Sequence, residues 1–300
     1  MAEPLDILVT GGGGQVGLEL RALPWPQPVR LHAPSRAALE LGSVASVRSY
    51  FERKSFAAVI NAGAYTGVDA AEDEVASAFA ANALGPAVLA EVTRQAGAPL
   101  VQVSTDYVFD GSKPDFYVED DPVAPLGVYG ASKVAGELAV RSGNPRSVVL
   151  RTAWVVSRRR SNFLKTMLRL AVERPVVRVV NDQRGCPTSA RDVAEALQTI
   201  TLTMIADRDA PAGVYHFVNA GEATWADLAR EIFSQSAQSG GPAAEVQDIS
   251  SSEYPSRARR PMNSRLATGK LTRDYGVIPR DWRAAVAEIV SELQAEGIGE

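Results

Sequence analysis

Cysteine occurs once in these 300 residues and histidine twice. The lone thiol, Cys186, cannot close an intrachain disulfide, and one cysteine with His32 and His216 cannot furnish an ordinary zinc site without carboxylates. That scarcity suits a reducing compartment, and no metal site is expected. A basic excess is missing too: 31 Lys and Arg face 35 Asp and Glu, a net charge of −4. This excludes the electrostatic profile of a nucleic-acid binder or a basic membrane-surface helix and leaves a small molecule as the expected partner. No apolar run approaches the roughly 18 to 20 residues of a membrane-spanning helix. The amino end carries Glu3 and Asp6 where a secretory signal is positively charged. These absences predict a cytoplasmic chain without nucleic-acid or membrane partners.

What is present is a globular composition, 46% apolar and 22% charged, on a chain long enough for one large domain or two merged ones. The aliphatic run Leu5-Asp6-Ile7-Leu8-Val9-Thr10 leads into Gly11-Gly12-Gly13-Gly14-Gln15-Val16-Gly17 and then Leu18-Glu19-Leu20, the pattern of a buried strand, a glycine turn and a helix. Strand-like segments at 29–33, 57–61, 100–104 and 147–152 are separated by helix-like ones such as 45–53 and 87–96. Gly85-Pro86 and Gly97-Ala98-Pro99 bracket the latter, as a helix start and stop do. The alternation predicts an α/β fold, a Rossmann-type doubly wound parallel sheet, with a smaller carboxy-terminal α/β lobe that binds substrate. Past residue 155 it weakens, with helices expected at 162–172 and 191–204 and a strand at 176–181. Residues 234–242, rich in Ser, Gln and Gly, read as a surface loop. The expected division is a dinucleotide-binding domain at 1–155, with 180–217 returning to it, and 156–300 mainly a substrate-binding lobe.

Gly11, Gly14 and Gly17 have the spacing G-x-x-G-x-x-G. Such a turn lets main chain approach a pyrophosphate closely, while the helix behind it offers free N–H groups and a positive dipole end. The alternative is that the glycines only close a tight turn; the strand before and helix after favour a dinucleotide. Where an acid would bind the ribose 2′-hydroxyl of NAD, this chain has Ala33-Pro34-Ser35-Arg36. Ser35 and Arg36 suit a 2′-phosphate, which favours NADPH and leaves NADH open.

Tyr129-Gly130-Ala131-Ser132-Lys133 sets a phenol and an ammonium on one face of a helix start. A phenol ordinarily titrates near pH 10, and a nearby cation favours its anion, bringing proton transfer closer to working pH. Alone the pattern is weak, since surface pairs share it. Its weight comes from following a strand that ends in Ser104-Thr105-Asp106-Tyr107, where a parallel sheet presents ligand contacts.

In this order, the glycine turn, Ser104-Thr105-Asp106-Tyr107-Val108-Phe109 and Tyr129-x-x-x-Lys133 resemble the extended short-chain dehydrogenase/reductase family. Further motifs narrow the likeness. Asn61-Ala62-Gly63-Ala64-Tyr65-Thr66-Gly67-Val68-Asp69, Arg151-Thr152-Ala153-Trp154-Val155, Asn162-Phe163, Asn181-Asp182-Gln183-Arg184-Gly185-Cys186-Pro187-Thr188 and Arg260-Pro261-Met262-Asn263-Ser264-Arg265-Leu266 look like the dTDP-4-dehydrorhamnose reductases. The likeness runs from about residue 5 to Trp282. It implies reduction of the 4-keto group of dTDP-4-dehydro-L-rhamnose by NADPH, or NADH, for cell-envelope polysaccharide. Thr105, Tyr129 and Lys133 would be catalytic. Gly11, Gly14, Gln15 and Val16 would line the pyrophosphate. Ser35, Arg36, Glu40, Leu41, Ala62, Gly63, Ala64, Tyr65 and Asn82, with Tyr129 and Lys133, would stand along the cofactor. Thr66, Val68, Thr105, Asp106, Trp154, Arg260 and Arg265 would touch the dTDP-keto-sugar.

The chain departs from the family at three places: the missing acid after the second strand, Cys186 in place of a smaller residue, and Arg191. In some members a glutamate near Arg191 bridges a metal between two copies. Neither that metal nor that dimer is therefore carried over, and a homodimer of another kind is left open. The basic run Arg158-Arg159-Arg160 and the group Arg257, Arg259, Arg260 and Arg265 could serve a substrate diphosphate, although charge runs are usually solvated faces. Trp154 has an alternative as a core aromatic, and Asp106 as a turn cap. His32 and His216 read as packed residues rather than catalysts. Two other functions remain open: a ketoreductase of another dTDP-4-keto-deoxysugar, and a non-catalytic NADP-binding subunit resembling the regulatory partner of methionine adenosyltransferase.

Overall fold

A computed structural model describes residues 4–254 and 256–296. The amino-terminal elements are β1 (Leu5–Thr10), α1 (Gln15–Ala22), β2 (Val29–His32), α2 (Val44–Glu52), β3 (Ala58–Asn61), α3 (Val68–Ala71), α4 (Val75–Phe79), α5 (Gly85–Gln95), β4 (Leu100–Thr105), α6 (Val128–Gly143) and β5 (Ser147–Thr152). Then come β6 (Val155–Val156), α7 (Phe163–Glu173), β7 (Val176–Val180), β8 (Arg184–Gly185), β9 (Thr188–Ser189), α8 (Ala190–Ala206) and β10 (Gly213–His216). The chain ends with β11 (Ala223–Thr224), α9 (Trp225–Gln238), β12 (Glu245–Ile249), α10 (Gly269–Tyr275) and α11 (Trp282–Ala295).

The main sheet has the order β10-β5-β4-β3-β1-β2, and every pairing in it is parallel. Leu8, Val9, Val59, Ile60, Leu100, Val101, Val148 and Leu150 are fully buried, as strands covered on both faces require. Residues of α1 and α8 cover one face, where Leu20, Val193 and Leu197 meet Ile7 and Ile60. On the other face α2, α5 and α6 bring Val47, Leu89 and Val140 against Leu8 and Val149. The chain lays β2 on one side of β1 and β3 on the other, so the connections diverge there and leave a crevice at the carboxyl ends of β1 and β3. The doubly wound Rossmann-type sheet is as expected. Although late in sequence, β10 closes this sheet beside β5.

A second core joins α7, α9 and α11 with the β7–β12 pair, through Leu164, Leu168, Val177, Ile232, Phe233, Trp282 and Val290. Between the two lies a small cluster of Val108, Phe109, Tyr117, Cys186 and Leu266.

Two expectations need correction. Residues 234–238 are not loop: α9 runs on to Gln238, because Ser236 continues the buried stripe of Ile232 and Phe233 facing α11. Burial of that stripe outweighs the weak helix propensity of Ser and Gln. The second concerns apolar length. Val75–Gln95 is one helical path of 21 residues, through a π-helical turn at Ala80–Leu84, and among the described residues it is long and apolar enough to cross a bilayer. Alanines make it so, and in the fold Pro86, Val88, Leu89 and Ala90 are buried as a core helix's would be.

Candidate active site

The glycine turn lies at the crevice. Gly11 leaves β1 with φ of 67°, and a Cβ there would stand 2.5 Å from the Cα of Gly63 in the loop after β3. Gly17, in the first turn of α1, is pressed against the turn from behind: its Cβ would meet the Gly11 carbonyl oxygen at 2.2 Å. Only glycine fits either place. Gly14 caps α1 without a side chain, so the N–H groups of Gln15 and Val16 have no capping oxygen and stand at the positive end of the helix. Gln15 Oε1 is itself buried with no partner among the described residues. Backbone donors, a turn without side chains and an unpartnered amide fit a dinucleotide pyrophosphate.

At the end of β2, Arg36 is exposed and donates to Glu40 at 2.5 Å, which holds the Glu40 carboxyl below its ordinary range. The Glu40 carboxylate is therefore paired within the chain. Leu41 packs its side chain on Gly63. Asn82 Oδ1 accepts from the Tyr65 N–H at 2.8 Å, while its Nδ2 donates to Tyr65 O and to Ser132 Oγ, both at 3.0 Å. Its amide is fully engaged, tying the loop of Ala62, Gly63, Ala64 and Tyr65 to the start of α6.

Thr105 ends β4, and Tyr129 and Lys133 stand on the first turns of α6. Burial pushes the Tyr129 phenol up to about 12, and a hydrogen bond with the Thr105 hydroxyl acts the other way. Thr105 Oγ1 donates to Asp106 Oδ1 at 2.9 Å. Asp106 is 3% exposed, its Oδ2 has no partner among the described residues, and burial lifts its carboxyl to about 6. The expected contact of ammonium with phenol is not what Lys133 makes. Its Nζ donates to the Val103 carbonyl at 2.7 Å; burial lowers it to about 8, opposed by the charge of Glu137.

Glu137, one turn beyond Lys133, is 4% exposed and was not singled out from the sequence. It accepts Ser104 Oγ at 2.5 Å and the Arg151 guanidinium at 3.0 and 2.7 Å. Arg151 lies over the Phe109 ring and, together with burial, holds His216 down to about 3. The spacing Tyr129, Lys133, Glu137 was legible; that Arg151 would close the network from β5 was not.

At the other side, Thr66 and Val68 lead into α3, where Asp69 accepts Arg260 Nη2 at 2.9 Å and the Ala258 N–H at 3.1 Å. Arg260 Nε is buried without a partner among the described residues. Arg265 is placed otherwise than expected for a diphosphate ligand: its three nitrogens hold Asn263 Oδ1, Glu222 Oε2 and the Pro114 carbonyl. Trp154, with φ of 49°, stacks on Trp225 at 3.6 Å between centroids, and Gly185 lies against its indole. Trp225 carried no local signal in the sequence. Of the basic run, Arg158 pairs with Glu292 and Glu296, Arg159 faces Glu19 at 3.6 Å, and Arg160 reaches the glycine turn. Beside the basic run, with which it shares Glu292, Arg191 pairs with Glu288 at 2.6 Å and Glu195 at 3.3 Å and lines a cavity of about 380 Å³ that also takes in Asp192 and Arg280.

The family model described as the RmlD substrate binding domain matches residues 5–295. A dTDP-4-dehydrorhamnose reductase of Sinorhizobium fredii is 42% identical over 294 residues, 98% of this chain and 99% of that protein. The solved dTDP-4-dehydrorhamnose reductase of Clostridium acetobutylicum is 35% identical with a TM-score of 0.89, covering 96% of this chain and 99% of that one. That of Bacillus anthracis, solved in complex with NADP, is 31% identical with a TM-score of 0.89 over 97% and 100%. A likeness that begins at the first strand and ends at the last helix, at these identities, means that the chain belongs to the RmlD substrate-binding-domain family, that of the dTDP-4-dehydrorhamnose reductases.

Proposed function

We propose that this chain reduces the 4-keto group of dTDP-4-dehydro-L-rhamnose to give dTDP-L-rhamnose, with NADPH as reductant and NADH as the weaker choice. The observation that carries the reading is the gathering of Thr105, Asp106, Tyr129 and Lys133 where β4 ends and α6 begins, in a crevice whose far end is a side-chain-free glycine turn. When bound, the dinucleotide supplies the hydride that the ketone carbon receives. Gly11, Gly14, Gln15 and Val16 hold its pyrophosphate; Ser35 and Arg36 face the ribose; Leu41 and the Ala62–Tyr65 loop, braced by Asn82, line its path. Tyr129, kept protonated by burial, gives its proton to the ketone oxygen as charge develops there. Thr105 orients that oxygen, and the Lys133 ammonium, its charge supported by Glu137, stabilises the phenolate left behind. Thr66, Val68, Asp106, Trp154 and Arg260 are assigned to the sugar nucleotide.

Residues 1–155 with 180–217 form the cofactor unit in this reading and the remainder the substrate lobe. A cytoplasmic location suits the single buried thiol of Cys186. The Tyr129–Lys133 pair favours the enzyme over a regulatory subunit, which needs neither. The test is the 340 nm absorbance of NADPH, and separately of NADH, with dTDP-4-dehydro-L-rhamnose supplied enzymatically. Oxidation yielding dTDP-L-rhamnose is expected, and Tyr129→Phe should lower turnover by about 10²- to 10⁴-fold with nucleotide affinity unchanged. Unaltered turnover in that variant rejects the mechanism; no oxidation despite nucleotide binding rejects the substrate.

A further inference from the structure

Arg160 is the member of the basic run that has no acid beside it among the described residues. Arg158 is held by Glu292 and Glu296 and Arg159 faces Glu19, whereas no carboxylate among the described residues lies within 4.0 Å of the Arg160 guanidinium. Its Nε donates instead to the Gly13 carbonyl at 2.7 Å, across 147 positions of sequence, which brings a residue of the second lobe onto the glycine turn. The approach is close: a Cβ on Gly13 would lie 3.4 Å from Arg160 Nη2. The segment is built to deliver it. Arg160 sits at φ of 58°, in the left-handed region that a residue bearing a Cβ enters only under strain. Asn162 ties the bend down by donating to the carbonyls of Ser157 and Arg159, and its own Oδ1 caps α7.

A guanidinium fixed through Nε to a carbonyl keeps both terminal amino groups for a planar, bidentate acceptor. The neighbouring charges are positive or neutralised: Arg21 donates to the Gly12 carbonyl at 3.4 Å, Arg36 is paired with Glu40, and α1 points its N-terminus at the same turn. An exposed cation anchored on a glycine turn without side chains has a phosphate oxyanion as its complementary ligand.

We propose that Arg160 is a phosphate ligand of the bound nicotinamide dinucleotide, supplied from the substrate lobe across the glycine turn. This rests on the cofactor reading given above and assigns Arg160 to the cofactor rather than to the sugar diphosphate. The phosphate is either the pyrophosphate, common to NADPH and NADH, or the 2′-phosphate, present in NADPH alone.

The test measures the dissociation constants of NADPH and NADH by energy transfer from tryptophan to the reduced nicotinamide, in the full chain and in Arg160→Gly. Glycine accepts the positive φ, so the change removes the guanidinium without adding backbone strain. At least a tenfold loss is expected. Equal loss for both nucleotides assigns the pyrophosphate; loss for NADPH alone assigns the 2′-phosphate. Both constants within twofold of the unaltered chain overturn the proposal. So does an equal loss in Arg158→Ala, which would mean that the general field of the basic run, not the placed guanidinium, is at work. Binding of neither nucleotide by the unaltered chain overturns the cofactor reading itself, and this proposal with it.

Discussion

At the β1–β3 end of the crevice the turn offers a ligand backbone N–H donors of α1 and glycines at which no Cβ fits, with the non-titrating Arg160 guanidinium anchored on the Gly13 carbonyl. At the β4–α6 end the groups offered are side chains with opposed needs, Asp106 and Lys133 buried and Tyr129 half-buried: Asp106 is lifted to about 6, Lys133 lowered to about 8 and Tyr129 raised to about 12, each mainly by desolvation. Backbone dipoles carry no net charge to desolvate, so the first end is indifferent to pH and intolerant of volume. Side-chain ions are the reverse. The two ends should therefore fail in different ways when perturbed.

The largest effect is expected where a buried charge loses its partner. Glu137→Gln leaves the Arg151 guanidinium, 3% exposed, without its carboxylate. Breaking a buried pair from one side costs about 3–5 kcal/mol. Chemical denaturation should show that loss. Because the Glu137 charge raises Lys133, the alkaline limb of the turnover profile should also move to lower pH. A loss below about 1 kcal/mol with an unmoved profile would mean that this network plays no part in setting the site. At the backbone end, Gly17→Ala forces a methyl onto the Gly11 carbonyl, an overpacking worth about 1–3 kcal/mol. Affinity for NADPH and NADH should fall together, at every pH, while a pH profile under saturating nucleotide keeps its shape. A profile that shifted would show the two ends to be coupled.

The same contrast decides what could be read from the sequence. Gly11, Gly17, Tyr129 and Lys133 act within one turn or one helix face, and their spacing announced them. So, unused, did Glu137, which continues the i, i+4 row. Arg265 could not be placed that way: Glu222, Pro114 and Asn263 engage it from three stretches of chain, and only the folded arrangement of those carbonyls and carboxylates decides it. Trp154 was expected on the sugar, and its stack with Trp225 joins residues far apart in sequence. At 234–238 packing against α11 outweighs composition, whereas the apolar length of Val75–Gln95 is there in its alanines.

The smallest effect separates the two ends most cleanly, because only one of them contains a carboxyl raised by burial. In the unfolded chain Asp106 titrates near 3.8, and in the fold near 6. Between those values the folded chain holds a proton that the unfolded chain has released, so this residue's contribution is fully present below about 3.8 and is lost as pH rises through 6. His216 works in the opposite sense: held near 3 when folded, it makes the fold lose stability as pH drops below its ordinary 6.5. Between about 4 and 6 the two slopes oppose each other, and the unaltered chain should show a shallow dependence there. Asp106→Asn removes one of them. The variant should be more stable than the parent at pH 8, by an amount larger than at pH 4 by on the order of 2 kcal/mol, a few degrees of melting temperature, with turnover reduced. It should also lose stability more steeply on acidification, since His216 then acts unopposed. A stability difference that stays constant from pH 4 to pH 8 would mean that the Asp106 carboxyl titrates as it does in water. The charge conflict assigned to this end of the crevice would then be absent.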